Sequence, residues 1–295
     1  MKQPTPTAAG THTHAVRTYY DRNTGLFLRL GKDRGTRHIH QALWAEGVHT
    51  QAEAVQYANS RVLAQLRLLA ARFPDTPLGV LDLGCGVGSG LFYLHSRYEG
   101  AATLQGLTIS PVQAAQAQAQ AHRLPGGARV RVDEGDFLDL SGYGPQHLAY
   151  AIEAFLHAAS AGRFLAGVAQ RLVPGGRLVL IDDFLTPAGG GDPPEPDRRW
   201  LAGFRRGWLA GSLHTVADVA ALAAQQGLVL VSDQDFTSYM AIGRPRDRFI
   251  GLMLRLTGPL MWRSTYLRAL AGGYSKQQCL RCGLVSYREL VFERT

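Results

Sequence analysis

Short apolar runs alternate with longer amphipathic stretches along most of the chain from Leu78 onward. The apolar runs have the length of buried strands, whereas the stretches between them repeat their apolar residues at helical spacing. The predicted strands are Gly79–Leu83, Thr103–Thr108, Arg129–Asp133, Leu148–Ile152, Arg177–Asp182, Leu228–Ser232 and Leu284–Phe292. The predicted helices are Ser89–Arg97, Pro111–His122, Gly162–Leu172, Val216–Gln226 and Arg263–Cys282. This alternation predicts an α/β fold with a parallel, doubly wound sheet.

Regions before and within this core follow a different pattern. Before the core, Val16–Gly31 and Gln51–Arg72 are amphipathic and predict a helical cap. Two insertions, at about 185–215 and 236–266, predict lids over a pocket at the carboxyl edge of the sheet. We therefore divide the chain into a disordered lead-in over 1–14, an N-terminal helical cap over 15–75, and a core over 76–295 that carries both insertions.

The composition is that of an ordinary globular protein. With 295 residues, 46% of them hydrophobic and 18% charged, the chain can bury a sizeable core. No apolar run reaches the roughly 18–20 residues that cross a bilayer. The polar N-terminus, with Pro4 and Pro6, lacks the apolar centre of a signal peptide. These features predict a cytoplasmic protein without a transmembrane segment.

The formal net charge of +8 comes mostly from arginine. A positive balance is compatible with nucleic acid, an anionic membrane or an anionic small substrate, and an arginine excess also arises from GC-rich codon usage. The charge is spread along the chain without a basic run or a nucleic-acid-binding motif. We expect no nucleic-acid partner and a lipophilic or anionic small-molecule acceptor. This distribution of charge is also compatible with a homo-oligomer.

Two pairs of residues have spacings found in metal sites. Cys279 and Cys282 could form half of a zinc site, but no second pair follows them, and a closed zinc site needs four ligands. His38 and His40 likewise have no identifiable third ligand. The sequence therefore predicts no metal ion held by the protein and packing roles for the two thiols.

The strongest chemical signal is the glycine-rich segment 80–90, Val-Leu-Asp-Leu-Gly-Cys-Gly-Val-Gly-Ser-Gly. Its glycines let the backbone approach a ligand closely, and the helix that follows offers N–H groups to an anion. A dinucleotide fingerprint has the order G-x-G-x-x-G, whereas this segment reads Asp-x-Gly-x-Gly-x-Gly from Asp82. In this form the chain resembles the class I S-adenosylmethionine (SAM)-dependent methyltransferases. The resemblance implies a Rossmann-like class I methyltransferase sheet and SAM as the methyl donor.

Segments after the next strands extend the resemblance. Gly106–Gln113 lacks the Asp or Glu that most dinucleotide folds place there, and its Gly-Leu-Thr-Ile-Ser-Pro-Val-Gln form resembles cyclopropane-fatty-acid synthases, tocopherol methyltransferases and prenyl-diphosphate C-methyltransferases. The resemblance implies that Gln113 holds the ribose, that Asp136 accepts from the adenine amino group, and that Tyr19 or Tyr20 reaches the methionine end. The full predicted cofactor set is Tyr19, Asp82, Gly84, Cys85, Gly86, Gly88, Thr108, Ile109, Gln113, Asp136, Phe137 and Ile152. The same segments would also serve as plain strand ends, helix caps and turns.

The predicted fourth strand delivers a carboxylate toward the expected position of the transferred methyl group. Glu153 follows that strand, and the resemblance to prenyl-diphosphate C-methyltransferases implies that it acts as a base. A carboxylate there can stabilise a tertiary carbocation and remove its proton. Cyclopropane synthases have a bicarbonate-holding Glu three residues later, where this chain has Leu156, which argues against cyclopropanation. His157 is a second catalytic candidate, and a structural contact between Glu153 and the cofactor loop is the alternative.

The two insertions indicate the type of acceptor. Their arginines are Arg198, Arg199, Arg205, Arg206, Arg244, Arg246 and Arg248, and apolar residues such as Trp200 and Met261 lie among them. An apolar pocket edged by arginines suits a lipophilic molecule with a phosphate or carboxylate head. We predict a methyltransferase of lipophilic small molecules, most sharply one that C-methylates a prenyl diphosphate, with Mg²⁺ as a candidate partner of the diphosphate. The alternatives are O- or N-methylation of a phenolic or amine natural product, an RNA methyltransferase, and a non-catalytic SAM- or NAD-binding protein.

Overall fold

A seven-stranded mixed sheet forms the centre of the molecule. The computed structural model describes residues 8–30, 40–243, 249–254 and 265–295. The strands are β1 Leu78–Leu83, β2 Ala102–Thr108, β3 Val130–Glu134, β4 Gln146–Ile152, β5 Leu172–Leu185, β6 Leu228–Asp235 and β7 Val285–Arg294. They lie in the order β3-β2-β1-β4-β5-β7-β6. The predicted Rossmann-like α/β fold is confirmed, and each predicted strand is present.

The direction of β7 corrects the all-parallel sheet expected from the sequence. β7 pairs antiparallel with both β5 and β6, whereas the other neighbouring strands run parallel. In this register Tyr287 of β7 lies opposite Asp183 of β5. A strand covered on both faces has the same apolar run in either direction, so the hydrophobic pattern predicts the strand but not its orientation.

Helices cover both faces of the sheet. Their bounds are α1 Ala8–Leu30, α2 Gln51–Arg72, α3 Ser89–Arg97, α4 Pro111–Ala121, α5 Ala161–Arg171, α6 Pro187–Gly190, α7 Asp197–Trp208, α8 Val216–Ala224 and α9 Thr265–Arg281, and residues 249–254 are also helical. Polar side chains fix several of the helix starts. Ser110 accepts from the Gln113 backbone N–H, and Thr50 and Glu53 form a capping box. The starts of α2 and α4 therefore agree with the sequence prediction, and α3 also begins at the predicted residue, although Gly88 before it offers no side-chain cap.

Alternate residues of the strands build two separate apolar layers. On one face Val80 packs in a cluster that contains Leu66 of α2, and on the other face Leu81 packs in a cluster that contains Phe164 of α5. All of these side chains are fully buried. A parallel strand needs apolar residues on both faces when helices cover both, which explains the continuous apolar run of β1.

One predicted segment bound changes in the structure, and part of one predicted insertion lies outside the described residues. Helix α1 begins at Ala8, so residues 8–14 belong to a helix and not to the disordered lead-in predicted over 1–14; residues 1–7 lie outside the described part. Of the insertion predicted at 236–266, residues 244–248 and 255–264, with Arg244, Arg246, Arg248 and Met261, also lie outside it. Among the described helices, none is long and apolar enough to cross a membrane.

Helices α7 and α9 meet backbone to backbone at a pair of glycines. A Cβ atom on Gly207 would lie 2.4 Å from the Gly272 Cα atom, and one on Gly272 would lie 2.7 Å from the Gly207 Cα atom. Trp208 closes the contact, because its indole N–H donates to the Ala269 carbonyl at 3.2 Å. The close approach therefore depends on the absence of side chains at both positions.

We expect Gly272→Ala to lower the free energy of unfolding by about 1–3 kcal/mol, because its methyl group would overlap the Gly207 backbone. Gly273→Ala is the matched control, since its Cβ atom would lie 3.7 Å from the nearest Trp208 atom, at ordinary contact distance. Alanine's helix propensity should leave this control unchanged or more stable. Urea unfolding of both variants measures the difference, and equal stabilities would refute the glycine contact.

Candidate active site

One large cavity lies at the carboxyl ends of β1, β2 and β4, where ligands bind in open α/β sheets. It holds roughly 900 Å³ of empty space, counting the part that opens to solvent. Its lining residues are Thr13, Val16, Tyr20, His40, Gly84, Cys85, Gly86, Val87, Ser89, Thr108, Ile109, Gln113, Asp136, Phe137, Leu138, Ile152, Glu153, Ala154, His157 and Ala159. Most of the side chains singled out in the sequence therefore come together around one space.

The glycine turn forms the floor of this cavity. Gly84, Gly86 and Gly88 all have positive φ, at 92°, 56° and 82°. The backbone N–H groups of Gly84 and Cys85 both donate to the Leu107 carbonyl, which ties the turn to β2. A Cβ atom on Gly86 would meet no atom within 4 Å. The open space above Gly86 fits a ligand that lies against the backbone, as the sequence predicts for SAM.

The end of β2 and the start of α4 form one wall. The Thr108 hydroxyl donates to the Gln113 Oε1 atom at 2.9 Å, and both side chains are buried. This hydrogen bond fixes the orientation of the Gln113 amide at the cavity surface. Ile109 lines the same wall between them.

Asp136 and Phe137 form the opposite wall. The Asp136 Oδ1 atom accepts from the Leu138 backbone N–H at 2.9 Å, and Oδ2 accepts from the Thr13 hydroxyl at 3.3 Å. Phe137 packs edge-on against Phe164, with 5.3 Å between ring centroids. Asp136 thus shapes the turn through one oxygen and presents the other to the cavity, so the turn and ligand interpretations of this residue are compatible.

Three residues of the predicted cofactor set, Tyr19, Asp82 and Gly88, are not among those that line the cavity. Tyr19 is buried beside Tyr20, and Tyr20 is the residue that reaches the cavity. The Asp82 carboxylate is buried beside the Tyr150 hydroxyl, and burial raises its pKa to about 7 even though that hydroxyl opposes the rise. Position 88 favours glycine because a Cβ atom there would lie 3.0 Å from the Phe92 ring.

Helix α1 covers the cavity, where the sequence led us to expect the two insertions. Thr13, Val16 and Tyr20 of this helix face inward. On its flank Asp21 accepts from the Ser110 hydroxyl at 2.6 Å, and Arg17 pairs with Glu134 at 3.0 Å. None of the described residues of α7 lines the cavity.

The backbone of Glu153 is strained, and two hydrogen bonds fix the position of its carboxylate. Its φ is 52°, in the left-handed region that non-glycine residues rarely adopt, at a cost of about 1–3 kcal/mol. Its Oε1 atom accepts from the Gln41 backbone N–H at 2.7 Å and from the Tyr287 hydroxyl at 2.9 Å. Burial raises the pKa of Glu153, while the charge of Lys276 and these two hydrogen bonds oppose the rise. The geometry presents a carboxylate whose pKa lies above its usual range, as proton transfer near neutral pH requires.

His157 lies next to Glu153 in the cavity but makes a different set of contacts. Its Nε2 atom lies 2.9 Å from the Tyr20 hydroxyl, and its Nδ1 atom lies 3.5 Å from the Leu209 carbonyl. Burial lowers the pKa of His157 to about 4. A neutral imidazole that donates from Nδ1 and accepts the Tyr20 hydroxyl at Nε2 satisfies both contacts. His157 therefore anchors Tyr20 and is a weak base.

Sequence patterns did not identify Gln41 and Tyr287 as members of this site. Gln41 acts through its backbone N–H, which no side-chain motif reveals. Tyr287 comes from the strand farthest along the chain and reaches Glu153 only because β7 lies beside β5. His40 was identifiable from the His-x-His pair in the sequence, and its side chain lines the cavity. His38 lies outside the described residues. Among the described residues, no group of three or more His, Cys, Asp or Glu side chains could hold a metal ion.

Comparison with known proteins identifies the class. Residues 80–176 match a family model described as a methyltransferase domain. A trans-aconitate 2-methyltransferase from Methylobacterium nodulans is 31% identical over 223 residues, which cover 75% of this chain and 73% of that protein. A probable tocopherol O-methyltransferase from Oryza sativa is 29% identical over 55% of this chain, and the match spans only 44% of the rice protein. The chain belongs to the class I SAM-dependent methyltransferases.

Solved structures show the same fold over nearly the whole chain. A geranyl diphosphate C-methyltransferase from Streptomyces coelicolor A3(2) superposes with a TM-score of 0.67 and 18% identity, covering 99% of this chain and 100% of that one. A cyclopropane synthase from Mycobacterium tuberculosis gives a TM-score of 0.73 and 21% identity over 96% of this chain and 98% of that one. These likenesses confirm the fold.

Proposed function

We propose that the protein transfers a methyl group from SAM to an alkene carbon of a lipophilic isoprenoid acceptor, most sharply a prenyl diphosphate. The observation that carries this proposal is the Glu153 carboxylate, held at the cavity by Gln41 and Tyr287 in a strained backbone conformation. Strain of this kind persists where the surrounding structure enforces it, and it is concentrated at functional sites.

The residues around the glycine turn would hold the cofactor. Gly84 and Gly86 would lie against its methionine part, Gln113 would bind the ribose hydroxyls, and Asp136 would accept from the adenine amino group in place of Thr13. When bound, SAM supplies an electrophilic methyl group. The turn's open space above Gly86 and the carboxylate of Asp136 fit these roles, because they offer backbone approach and a hydrogen-bond acceptor.

Glu153 has two tasks in the proposed reaction. When an alkene carbon of the acceptor gains the methyl group, the neighbouring carbon becomes a tertiary carbocation, which the Glu153 carboxylate stabilises electrostatically. An adjacent C–H bond then breaks, its electron pair re-forms an alkene, and its proton goes to Glu153. Gln41 and Tyr287 both bind Oε1, so Oε2 is the oxygen we assign to proton transfer.

The head of a prenyl diphosphate would remain at the cavity rim. None of the described residues that line the cavity is Lys or Arg, so the lining suits an apolar reactive end better than a phosphate. Mg²⁺ prefers a few oxygen ligands with several waters, which the diphosphate itself would supply. We therefore propose Mg²⁺ as a companion of the acceptor and not as an ion held in the cavity.

A second candidate is O- or N-methylation of a phenolic or amine natural product. The observation that favours it is sequence similarity to enzymes named for such reactions, including an ajmaline N-methyltransferase from Rauvolfia serpentina at 25% identity. A heteroatom acceptor needs orientation and a base for one acidic proton. His157 is poorly suited as that base, because its pKa is lowered to about 4.

An acceptor panel with isotopically labelled SAM tests the proposal. The panel contains prenyl diphosphates of increasing chain length with Mg²⁺, the corresponding prenyl alcohols, a tocopherol-type phenol and an indole-alkaloid amine. We expect the label in a new carbon–methyl bond of a prenyl compound, identified by NMR of the product. Label found only in methyl ethers or N-methyl amines would overturn C-methylation and support the second candidate.

A further inference from the structure

A group of buried charges lies directly behind Glu153. Asp183 and Lys276 are 1% and 2% exposed, and the Lys276 Nζ atom lies 2.6 Å from the Asp183 Oδ2 atom. Beyond this ion pair, neither group has a hydrogen-bond partner in the part of the chain that the structure describes. An ion pair buried without further hydrogen bonds is costly, so a stabilising role is a weak explanation for it.

Tyr287 connects this ion pair to the catalytic carboxylate. Its hydroxyl donates to Glu153, and the Lys276 Nζ atom lies 5.2 Å from the centroid of its ring. Lys276 also lies 4.7 Å from the centroid of the Trp208 ring. The aromatic faces stabilise the ammonium group in the protein interior. The positive charge is thus held one side chain away from Glu153.

The buried acidic groups outnumber this cation. Asp182 and Asp183 follow each other on β5, and the Asp182 carboxylate accepts from the backbone N–H groups of Leu156 and Asp183. Burial raises the pKa of Asp182 well above its usual value, and burial raises that of Asp183 to about 6 against the opposing charge of Lys276. Like charges so close together cannot all remain ionised without a compensating cation.

Titratable groups face Glu153 from every element packed against it. They are Tyr20 of α1, His40 before α2, His157 after β4, Asp182 and Asp183 of β5, Lys276 of α9 and Tyr287 of β7. The pKa of each Tyr is raised by burial, and the pKa of each His is lowered to about 4, so these four groups are neutral near pH 7. In this set Lys276 is therefore the group that can supply a positive charge.

We propose that Lys276 is a positioning residue that acts on Glu153 through Tyr287 and keeps the carboxylate ionised, ready to accept a proton. Asp183 holds the ammonium group in place, and the Tyr287 ring and hydroxyl fix its geometry relative to Glu153. This inference rests on the proposed role of Glu153 as the base. It concerns the enzyme before any acceptor binds, so it can be tested separately.

The test measures the ionisation of Glu153 directly. The protein is labelled with ¹³C at the glutamate side-chain carboxylates and titrated by NMR in complex with S-adenosylhomocysteine, and the resonance missing in Glu153→Gln identifies Glu153. We expect Lys276→Met to raise the pKa of Glu153 by about one unit or more, because an opposite charge nearby is lost. Lys276→Arg keeps the charge and should restore most of the wild-type titration.

Three further variants separate this role from a structural one. Asp183→Asn combined with Lys276→Met is compared with Asp183→Asn as its reference, so the difference between the two isolates the charge of Lys276 even where Lys276→Met alone folds poorly. Ser275→Ala removes a buried polar group on the same helix without changing any charge. We expect the pKa of Glu153 to be higher in the double variant than in Asp183→Asn, and unchanged in Ser275→Ala.

The inference is overturned if the pKa of Glu153 stays unchanged in Lys276→Met and also does not differ between the double variant and Asp183→Asn, whatever the stability of these variants. Because no acceptor is present in this experiment, the shift can appear even if the acceptor class proposed above is wrong. Conversely, the acceptor panel can succeed while the titration does not move.

Discussion

Replacing Glu153 by Gln should lower the turnover number for C-methylation by about 10²–10⁴-fold, the usual loss when a general base is removed. The amide keeps an oxygen that can accept from Gln41 and Tyr287, so the local geometry should persist. It has no negative charge to stabilise a carbocation and no basic oxygen to take its proton. Steady-state kinetics with labelled SAM measure the loss.

The Glu153→Gln substitution should lower turnover without weakening cofactor binding. We expect the affinity of Glu153→Gln for S-adenosylhomocysteine, measured by calorimetry, to stay within about threefold of wild type. The reason is that we assign cofactor binding to Gly84, Gly86, Gln113 and Asp136 and not to Glu153. Glu134→Gln is the matched control: it removes an exposed carboxylate paired with Arg17 and should leave turnover unchanged. Near-normal turnover of Glu153→Gln would contradict the assignment and favour a heteroatom acceptor.

We also predict the direction in which Glu153→Gln changes the free energy of unfolding. Burial raises the pKa of Glu153, so the folded protein carries a desolvated carboxylate above that pKa. Glu153→Gln removes this charge, and its free energy of unfolding near neutral pH should therefore equal or exceed that of wild type. A variant that loses activity and gains stability is what a functional and not a structural carboxylate would give.

Gly84→Ala should abolish measurable cofactor binding and lower the free energy of unfolding by about 3 kcal/mol or more. Two costs combine at this position. The φ of 92° is unfavourable for any residue with a Cβ atom, and that atom would lie 2.5 Å from the Ala154 methyl group. The turn must move away from Ala154 to relieve the overlap, and this movement changes the floor of the cavity.

Gly47→Ala isolates the first of these costs. Gly47 has a φ of 78°, and its Cβ atom would meet no atom within 4 Å. Its substitution should cost about 1–2 kcal/mol and leave cofactor binding intact. Thermal unfolding and calorimetry with S-adenosylhomocysteine compare the two variants, and equal losses of stability would show that the contact with Ala154 is unimportant.

The parts of this molecule that the sequence predicts are those determined by local spacing. Strands such as β1 and helix starts such as Ser110 follow from apolar periodicity and capping, which involve residues close together in the chain. The glycine turn and Asp136 likewise belong to short motifs that were identifiable one by one. The position of Glu153 at the end of β4 follows from the same reasoning.

The remaining parts depend on contacts between distant segments. The antiparallel direction of β7, the cover that α1 makes over the cavity, and the meeting of Tyr287 with Glu153 all join residues more than a hundred positions apart. Asp82 is a different case: it belongs to a recognisable motif, but its carboxylate is buried beside Tyr150 and does not line the cavity. The motif alone does not show whether the carboxylate at the end of β1 contacts a ligand or a neighbouring side chain.

The place of β7 between β5 and β6 also sets an order for biosynthesis. The ribosome delivers residues 285–294 after every other strand, yet they fill an interior position of the sheet and bring Tyr287 to Glu153. A nascent chain without them has an open edge on β5 and a Glu153 carboxylate with one hydrogen-bond donor fewer. The Glu153 carboxylate therefore reaches its final environment only after β7 has been synthesised and has entered the sheet, which also covers the open edge of β5.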